Sequence, residues 1–489
     1  MKKILLLLSL SFVGFLGLKA QRIVDIQHQE TITQDELAQR FFGFPIKNGI
    51  EAFKILYETL DTDGSTIDTA SGLLVLPLTE VQDQQFPFLA YQHGTAASRE
   101  GVPSNIENGE RLLIYYFGGQ GYHTTAADYL GLGDSKRAIH PYVHADSEAS
   151  AGIDLVKAAR SYLEQEGISY NDQLFITGYS QGGHAGMAMH RALNNDPIEG
   201  LEVTAGSHMS GIYNVSGDLI TGAISEQVYM FPSYVVWIMV GYQTVYGNLY
   251  NDLSEIFRPE FVEDISGFVD GTITRGALNG LLIETLETNY GASIPRFLFT
   301  ESFLENLDNP TDSPIIQALR DNDLYDWIPN SPMRMMYCMA DEQVNFTNSV
   351  FTDSIMNANG ASDVLAIDVN SAADHGGCVI PATFETVLFF EQFAERPLIL
   401  STQNIDPALQ FRISPNPATS YLQLKFNNAS TKFQRYQLRL QSIHGQTVVE
   451  KTTENLENFR FEVNEIPSGL YLINVQSENG FWTEKVFIN

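Results

Sequence analysis

The stretch Leu174-Phe175-Ile176-Thr177-Gly178-Tyr179-Ser180-Gln181-Gly182-Gly183 decides the fold. Its first four residues have the apolar, β-branched character of a buried strand. The residues that follow, His184 to Asn194, read as a helix. A serine held at the tip between such a strand and such a helix sits in a strained backbone geometry. The residues two before and two after it crowd the same space, so only Gly178 and Gly182, or something as small, fit there. The Ser180 hydroxyl is thereby exposed, and the main-chain N–H of Gln181 points at the site of attack. An idle serine in a glycine-rich turn is the bland alternative, and the flanking strand and helix speak against it.

A serine hydroxyl is a weak nucleophile without a base. For a serine on this kind of turn, an acid and then a histidine follow it along the chain. Of the ten histidines, His184, His190, His208, His375 and His444 come after Ser180. The first two lie on the helix leaving the turn, His208 comes before there is room for an acid strand, and His444 lies in a different module. His375, in Ala373-Asp374-His375-Gly376-Gly377, follows the strand candidate 364–369 and is expected on a flexible, glycine-bearing loop. The acid should end the preceding strand, 333–339, where Asp341 is expected to hold the imidazole tautomer, with Glu342 as rival. For the oxyanion, the segment Tyr91-Gln92-His93-Gly94-Thr95 follows another strand. Thr95 N–H is expected to join Gln181 N–H there, with a plain tight turn as the alternative. The loop Asp128-Tyr129-Leu130-Gly131-Leu132-Gly133-Asp134 is expected to border the cleft, its carboxylates holding backbone N–H groups rather than performing chemistry.

Outward from this centre, from about Phe53 to Pro381, strand-like runs alternate with helix-like stretches, the pattern of a wound α/β sheet. Runs 73–77, 86–91, 174–177, 333–339 and 364–369 read as strands. Ser147–Gln165 reads as a helix capped by Ser147, with Ile153, Val156, Ala159 and Leu163 on one stripe. Between about 217 and 331 the alternation breaks into a mostly helical insertion, expected to cap the active site. Within it Val228–Gly241 is strongly apolar, but it is too short to span a bilayer and holds Pro232, so it reads as buried or interfacial.

The chain is 489 residues long, which suggests more than one domain. Lys2 and Lys3, an apolar run from Ile4 to Leu18, then Lys19-Ala20 have the layout of a secretory signal over residues 1–20. Against 28 Lys and Arg stand 59 Asp and Glu, a net charge of −31. That field excludes nucleic acid and anionic lipid as partners, and it suits a dispersed exported protein. Two cysteines, Cys338 and Cys378, cannot build a cysteine-rich metal site. In an exported chain they can form one disulfide. No transmembrane segment is expected in the mature chain.

After residue 400 the pattern changes to period two: Leu422, Leu424, Phe426, then Tyr436, Leu438, Leu440, then Phe459, Phe461, Val463. Turn signals at Pro415-Asn416-Pro417, His444-Gly445, Pro467-Ser468-Gly469 and Asn479-Gly480 separate the runs. Residues 411–489 therefore read as a small all-β sandwich after a linker at 401–410.

Ser180, Asp341 and His375, with His93-Gly94-Thr95 and the 128–133 loop, resemble the secreted lipases and esterases of the α/β-hydrolase superfamily. The Gly178–Gly183 turn is similar to that of its secretory lipases. The resemblance covers roughly residues 50–395 and implies an α/β-hydrolase domain over 21–400 acting on ester or lipid-like substrates through an acyl-enzyme on Ser180. It implies no metal or organic cofactor. Neighbouring acid and histidine strands, as in this fold, would bring Cys338 and Cys378 to one edge of the sheet, two separate thiols being the rival. A serine peptidase on the same fold and a binding protein with a relic triad are the alternatives that fit the same residues. The tail is a second resemblance. Ile413-Ser414-Pro415-Asn416-Pro417-Ala418, Gly445-Gln446, Ile466–Leu472 and the closing Lys485–Asn489 resemble the C-terminal sorting domain of the type IX secretion system. That implies a Bacteroidetes-type bacterium, the type IX machinery as partner, and release or surface attachment. A carbohydrate-binding sandwich is the alternative, and no tryptophan precedes Trp482 in the run to serve as a sugar platform.

Overall fold

The computed structural model describes residues 22–41, 45–79, 81, 83–308, 313–397, 411–426, 436–442, 447–453, 459–477 and 480–489. The signal segment, the 401–410 linker and the turn residues His444, Gly445, Gln446 and Asn479 lie outside the described residues. The chain divides into two compact units, Met1–Leu398 and Ile399–Asn489.

The strands of the first unit are β1 (Ile23–Ile32), β2 (Ile50–Leu60), β3 (Ile67–Pro77), β4 (Phe86–Gln92), β5 (His123–Ala127), β6 (Tyr170–Tyr179), β7 (Glu202–Met209), β8 (Met333–Tyr337) and β9 (Val364–Asp368). They form one sheet in the order β1-β2-β3-β5-β4-β6-β7-β8-β9. The pairs β1–β2, β2–β3 and β3–β5 are antiparallel, and every pair from β5 onward is parallel. β4 is buried along its whole length and β6 over its last six residues. Both therefore read as unbroken apolar runs, as parallel strands covered on two faces must. The sheet starts earlier than the alternation from Phe53 suggested, because β1 is an exposed edge strand and shows no apolar face in sequence.

Helices α1 (Gln34–Arg40), α2 (Arg111–Gly119), α3 (Ala145–Glu166), α4 (Gln181–Asn195), α11 (Thr347–Ala358) and α12 (His375–Phe390) accompany the sheet. Buried residues of α3 and α4 join one apolar cluster, and those of α2 and α12 join the other. The stripe on α3 is buried at Val156, Ala159 and Leu163, with Ile153 packed against the same cluster. Its cap is not Ser147. The helix starts two residues before it, with His144 Nδ1 accepting from Ser147 N at 3.3 Å. An imidazole thus does the work expected of a hydroxyl, and Ser147 falls inside the first turn.

Between β7 and β8 lie α5 (Val215–Ile224), α6 (Pro232–Tyr246), α7 (Pro259–Val269), α8 (Arg275–Tyr290), α9 (Glu301–Asp308) and α10 (Pro314–Asp321). The apolar run becomes α6, which starts at Pro232 and is buried from Val236 to Tyr242. Among the described residues no helix is long and apolar enough to cross a membrane.

The second unit has two antiparallel sheets. One is β10 (Phe411–Ser414), β11 (Tyr421–Phe426) and β14 (Phe459–Glu462). The other is β12 (Tyr436–Ser442), β13 (Thr447–Thr453), β15 (Gly469–Ser477) and β16 (Gly480–Ile488). Leu422, Leu424 and Phe461 from the first meet Leu438, Leu440, Ile473 and Val475 from the second in one core. Alternation sends these residues inward and leaves their neighbours toward solvent.

Candidate active site

Ser180 stands between β6 and α4 with φ 59° and ψ −120°. A non-glycine residue in that region costs about 1–3 kcal/mol, so the surroundings must over-determine it. They do so by close approach. A Cβ on Gly182 would lie 1.9 Å from Gln92 O, and one on Gly178 would lie 2.2 Å from Gly182 O and 2.6 Å from Gln92 O. Strand β4 and the elbow are in backbone contact, and no side chain fits between them. Gly183 is held in the same way, its hypothetical Cβ 2.5 Å from Met209 O at the end of β7. Ser180 N donates to that same carbonyl at 2.9 Å. The serine is partly exposed, whereas residues 174–179 before it and 181–190 after it are buried.

His375 is the first residue of α12, not part of a flexible loop. Asp374 caps the helix by accepting from Gly377 N at 2.7 Å, so the two glycines that suggested a loop form the first helical turn. His375 Nδ1 lies 2.7 Å from Asp341 Oδ2, and the Asp341 side chain is 1% exposed. Asp341 Oδ1 accepts from Gln343 N and Val344 N, each at 2.9 Å. The carboxylate is thus fixed at both oxygens. Because Oδ2 accepts, the ring carries its proton on Nδ1 and leaves Nε2 as the basic nitrogen. Glu342, the rival acid, accepts instead from the main-chain N of His375 at 2.9 Å. Burial pushes its carboxyl up, but that bond and those from its own N–H and Gln343 outweigh it and hold it below the usual range. Cys338 and Cys378 are bonded to each other with their Cα atoms 5.9 Å apart, which links the residues before Asp341 to those after His375.

The His93–Thr95 loop leaves β4 beside the elbow, with a Cβ on Gly94 lying 3.3 Å from Tyr179 O. Gly94 N donates to Glu110 Oε1 at 2.8 Å, and Thr95 Oγ1 shares a 2.8 Å bond with the Tyr142 hydroxyl. His93 stacks on Tyr129, ring centroids 4.2 Å apart, and Tyr129 OH donates to His93 O at 3.0 Å. Among the described residues nothing accepts from Thr95 N or from Gln181 N. Asp128 is buried and accepts from Ser104 N at 3.0 Å and from Ser71 Oγ at 2.5 Å, while Asp134 pairs with Lys54. These carboxylates brace a loop.

The insertion reaches this edge of the sheet beside both the 341–344 and the 93–96 segments. Tyr234 OH donates to Gln343 Oε1 at 3.1 Å, beside the acid, and Arg275 Nε donates to Ala96 O at 3.1 Å, beside Thr95. Trp237 stacks on Tyr142 with centroids 4.6 Å apart. Nothing in the sequence pointed to Tyr142 or Tyr234 as neighbours of the site, since their spacing in the chain carries no periodic or motif signal. Among the described residues no group of three or more His, Cys, Asp or Glu side chains could hold a metal ion.

A sheet of this order, with a serine at the tight turn after β6 and a paired aspartate and histidine after β8 and β9, is the α/β-hydrolase fold. Residues 412–489 match the secretion system C-terminal sorting domain, so the chain is built for export, to the medium or the cell surface. The fold is similar to that of the rice cell wall degrading esterase LipA from Xanthomonas oryzae, with a TM-score of 0.68 at 23% identity over 76% of this chain and 98% of that one. It is similar to a candidate hydrolase of Legionella pneumophila, with a TM-score of 0.67 at 26% identity over 76% and 98%. Candida antarctica lipase A is more distant, with a TM-score of 0.57 at 14% identity over 76% and 82%. No curated protein matches the chain. These likenesses establish the fold, and the sorting tail establishes export.

Proposed function

We propose that the protein is a carboxylic ester hydrolase working through an acyl-enzyme on Ser180. The observation that carries this is the 2.7 Å contact of His375 Nδ1 with a buried Asp341, at the sheet edge where Ser180 stands at φ 59°. Ser180 Oγ attacks the ester carbonyl while His375 Nε2 takes its proton. The tetrahedral oxyanion receives N–H bonds from Gln181 and Thr95. His375 then returns the proton to the departing alcohol, and water repeats the sequence to release the acid and free Ser180. Asp341 keeps its negative charge and stabilises the imidazolium in both halves.

Apolar acyl or aromatic esters suit the site best, because Tyr142, Tyr234 and Trp237 bring aromatic surface to the loop that holds Thr95. Residues 21–400 act as the hydrolase and the insertion at about 217–331 as its cap, while residues 1–20 are removed on export and 411–489 address the chain to the type IX machinery. Hydrolysis rates across p-nitrophenyl esters from acetate to palmitate test the reading. Turnover is expected on some member of the series. Ser180→Ala should lower it by about 10⁴-fold or more while leaving the protein folded. Full activity in that variant contradicts the reading.

A further inference from the structure

Behind the elbow lies a cluster of polar side chains that no step of ester hydrolysis uses. Glu148 on α3 and His184 on α4 are fully buried, and Gln181 and His140 are nearly so. A carboxyl group cut off from water must be surrounded by hydrogen-bond partners. Glu148 Oε1 accepts from Val143 N at 3.1 Å and from Gln181 Nε2 at 2.7 Å, and Oε2 lies 2.8 Å from His184 Nδ1. His184 Nε2 in turn donates to Asn322 O at 3.2 Å.

The second N–H of the Gln181 amide goes to His140 Nε2 at 2.6 Å. His140 Nδ1 donates to Leu130 O at 2.7 Å, which leaves Nε2 as the acceptor. Burial pushes the His140 pKa down to about 3, so the ring is neutral at ordinary pH. Both neighbours of the amide nitrogen are therefore acceptors, and the side chain has only one way to point. Gln181 Oε1 is left without a partner among the described groups, which is the cost of that orientation.

Gln181 is also the residue whose main-chain N–H, on the reading above, receives the oxyanion. We propose that Glu148 is a positioning residue for that donor. It clamps the Gln181 side chain, and through it the first turn of α4, against α3 and the 128–134 loop, so that the N–H meets the oxyanion as it forms. Displacement of such a donor by an ångström costs as much as about 10²-fold in rate, because the bond strengthens only as charge develops on the oxygen. His184 and Asn322 extend the clamp to the chain segment that returns from the cap, since Asn322 Nδ2 donates to Tyr246 OH on α6 at 3.1 Å.

The proposal rests on Ser180 being the nucleophile, so the wild-type protein is first titrated with a p-nitrophenyl phosphonate. Absence of any adduct on Ser180 would remove that reading and the clamp with it. With labelling established, Glu148→Gln and Gln181→Met are each expected to lower kcat about 10- to 100-fold, with KM within about twofold of wild type. Phosphonylation should slow in the same ratio, because the phosphoryl oxygen occupies the oxyanion position. The acid limb of the pH profile should not move. If Glu148→Gln does not fold, Gln181→Met carries the test, since a flexible apolar side chain of similar length replaces the tether alone. Wild-type kcat and phosphonylation rate in folded Gln181→Met would overturn the proposal, and so would a loss confined to KM.

Discussion

The elbow and the cap are held by different forces. At the elbow, backbone meets backbone: Gly178, Gly182 and Gly183 leave no room for a methyl group, and Ser180 is forced to positive φ. In the cap, side chains make the contacts: Trp237 stacks on Tyr142, Tyr234 OH donates to Gln343 Oε1, and Arg275 Nε donates to the main-chain Ala96 O. The first kind of contact tolerates almost one sequence. The second is satisfied by many, as packed interiors usually are. Substitutions near the elbow should therefore act on the chemistry, and those in the cap on stability.

The largest effect expected from this contrast is at the acid. Asp341→Asn removes the acceptor that fixes the His375 tautomer and should cost about 10⁴-fold in kcat. Glu342→Gln, at a carboxylate that meets His375 only through its main-chain N, should cost less than about tenfold. Steady-state rates on one ester decide between them, and the reverse ranking would break the assignment of the two carboxylates.

The Cys338–Cys378 link comes next. It closes a loop across a separation of 40 residues, so the chain-entropy estimate gives it about 4 kcal/mol. Thiol titration of the unfolded, unreduced protein should find no free thiol, and reductant should lower the unfolding midpoint. Two free thiols would contradict the link. Activity of the reduced protein sharpens the comparison. It should fall below the folded fraction, because the link joins the residues that follow β8 to the first turn of α12.

The smallest effect lies at the base of the cap. Burial, then the neighbouring Asp323, pushes the Asp218 carboxyl up to about 7. In the unfolded chain the same group ionises near 3.9. The folded state thus holds a proton longer, and the contribution of Asp218 to stability is whole below about pH 4 and falls as pH rises toward 7. In Asp218→Asn that loss is absent. Melting curves at pH 5 and pH 8 should show a smaller drop for the variant than for wild type, and equal drops would contradict the shift.

The same contrast explains what could be read from the sequence. The elbow, the 93–95 loop and the two sandwich sheets were legible because glycine at fixed offsets and strict alternation have few other causes. Strands β5 (His123-Thr124-Thr125-Ala126-Ala127) and β7 carry no strand signal in sequence because they are rich in small and polar residues. Burial makes those residues satisfy one another, as Ser207 Oγ and Thr386 Oγ1 do at 2.7 Å. Gly376 and Gly377 give His375 the look of a loop residue in sequence, and only the Asp374 cap makes them helical. The Glu148 clamp could not be read at all: its members lie on α3, on α4 and in the segment after Asp134, and only the sheet brings them together.

On the function proposed above, Ser180 is the activated nucleophile. Intact-mass measurement after treatment with a p-nitrophenyl phosphonate, followed by peptide mapping, tests it most directly. One adduct per chain is expected, carried by the peptide that contains Ser180, with none in Ser180→Ala. An unmodified wild-type protein, or an adduct that persists in Ser180→Ala, would contradict it.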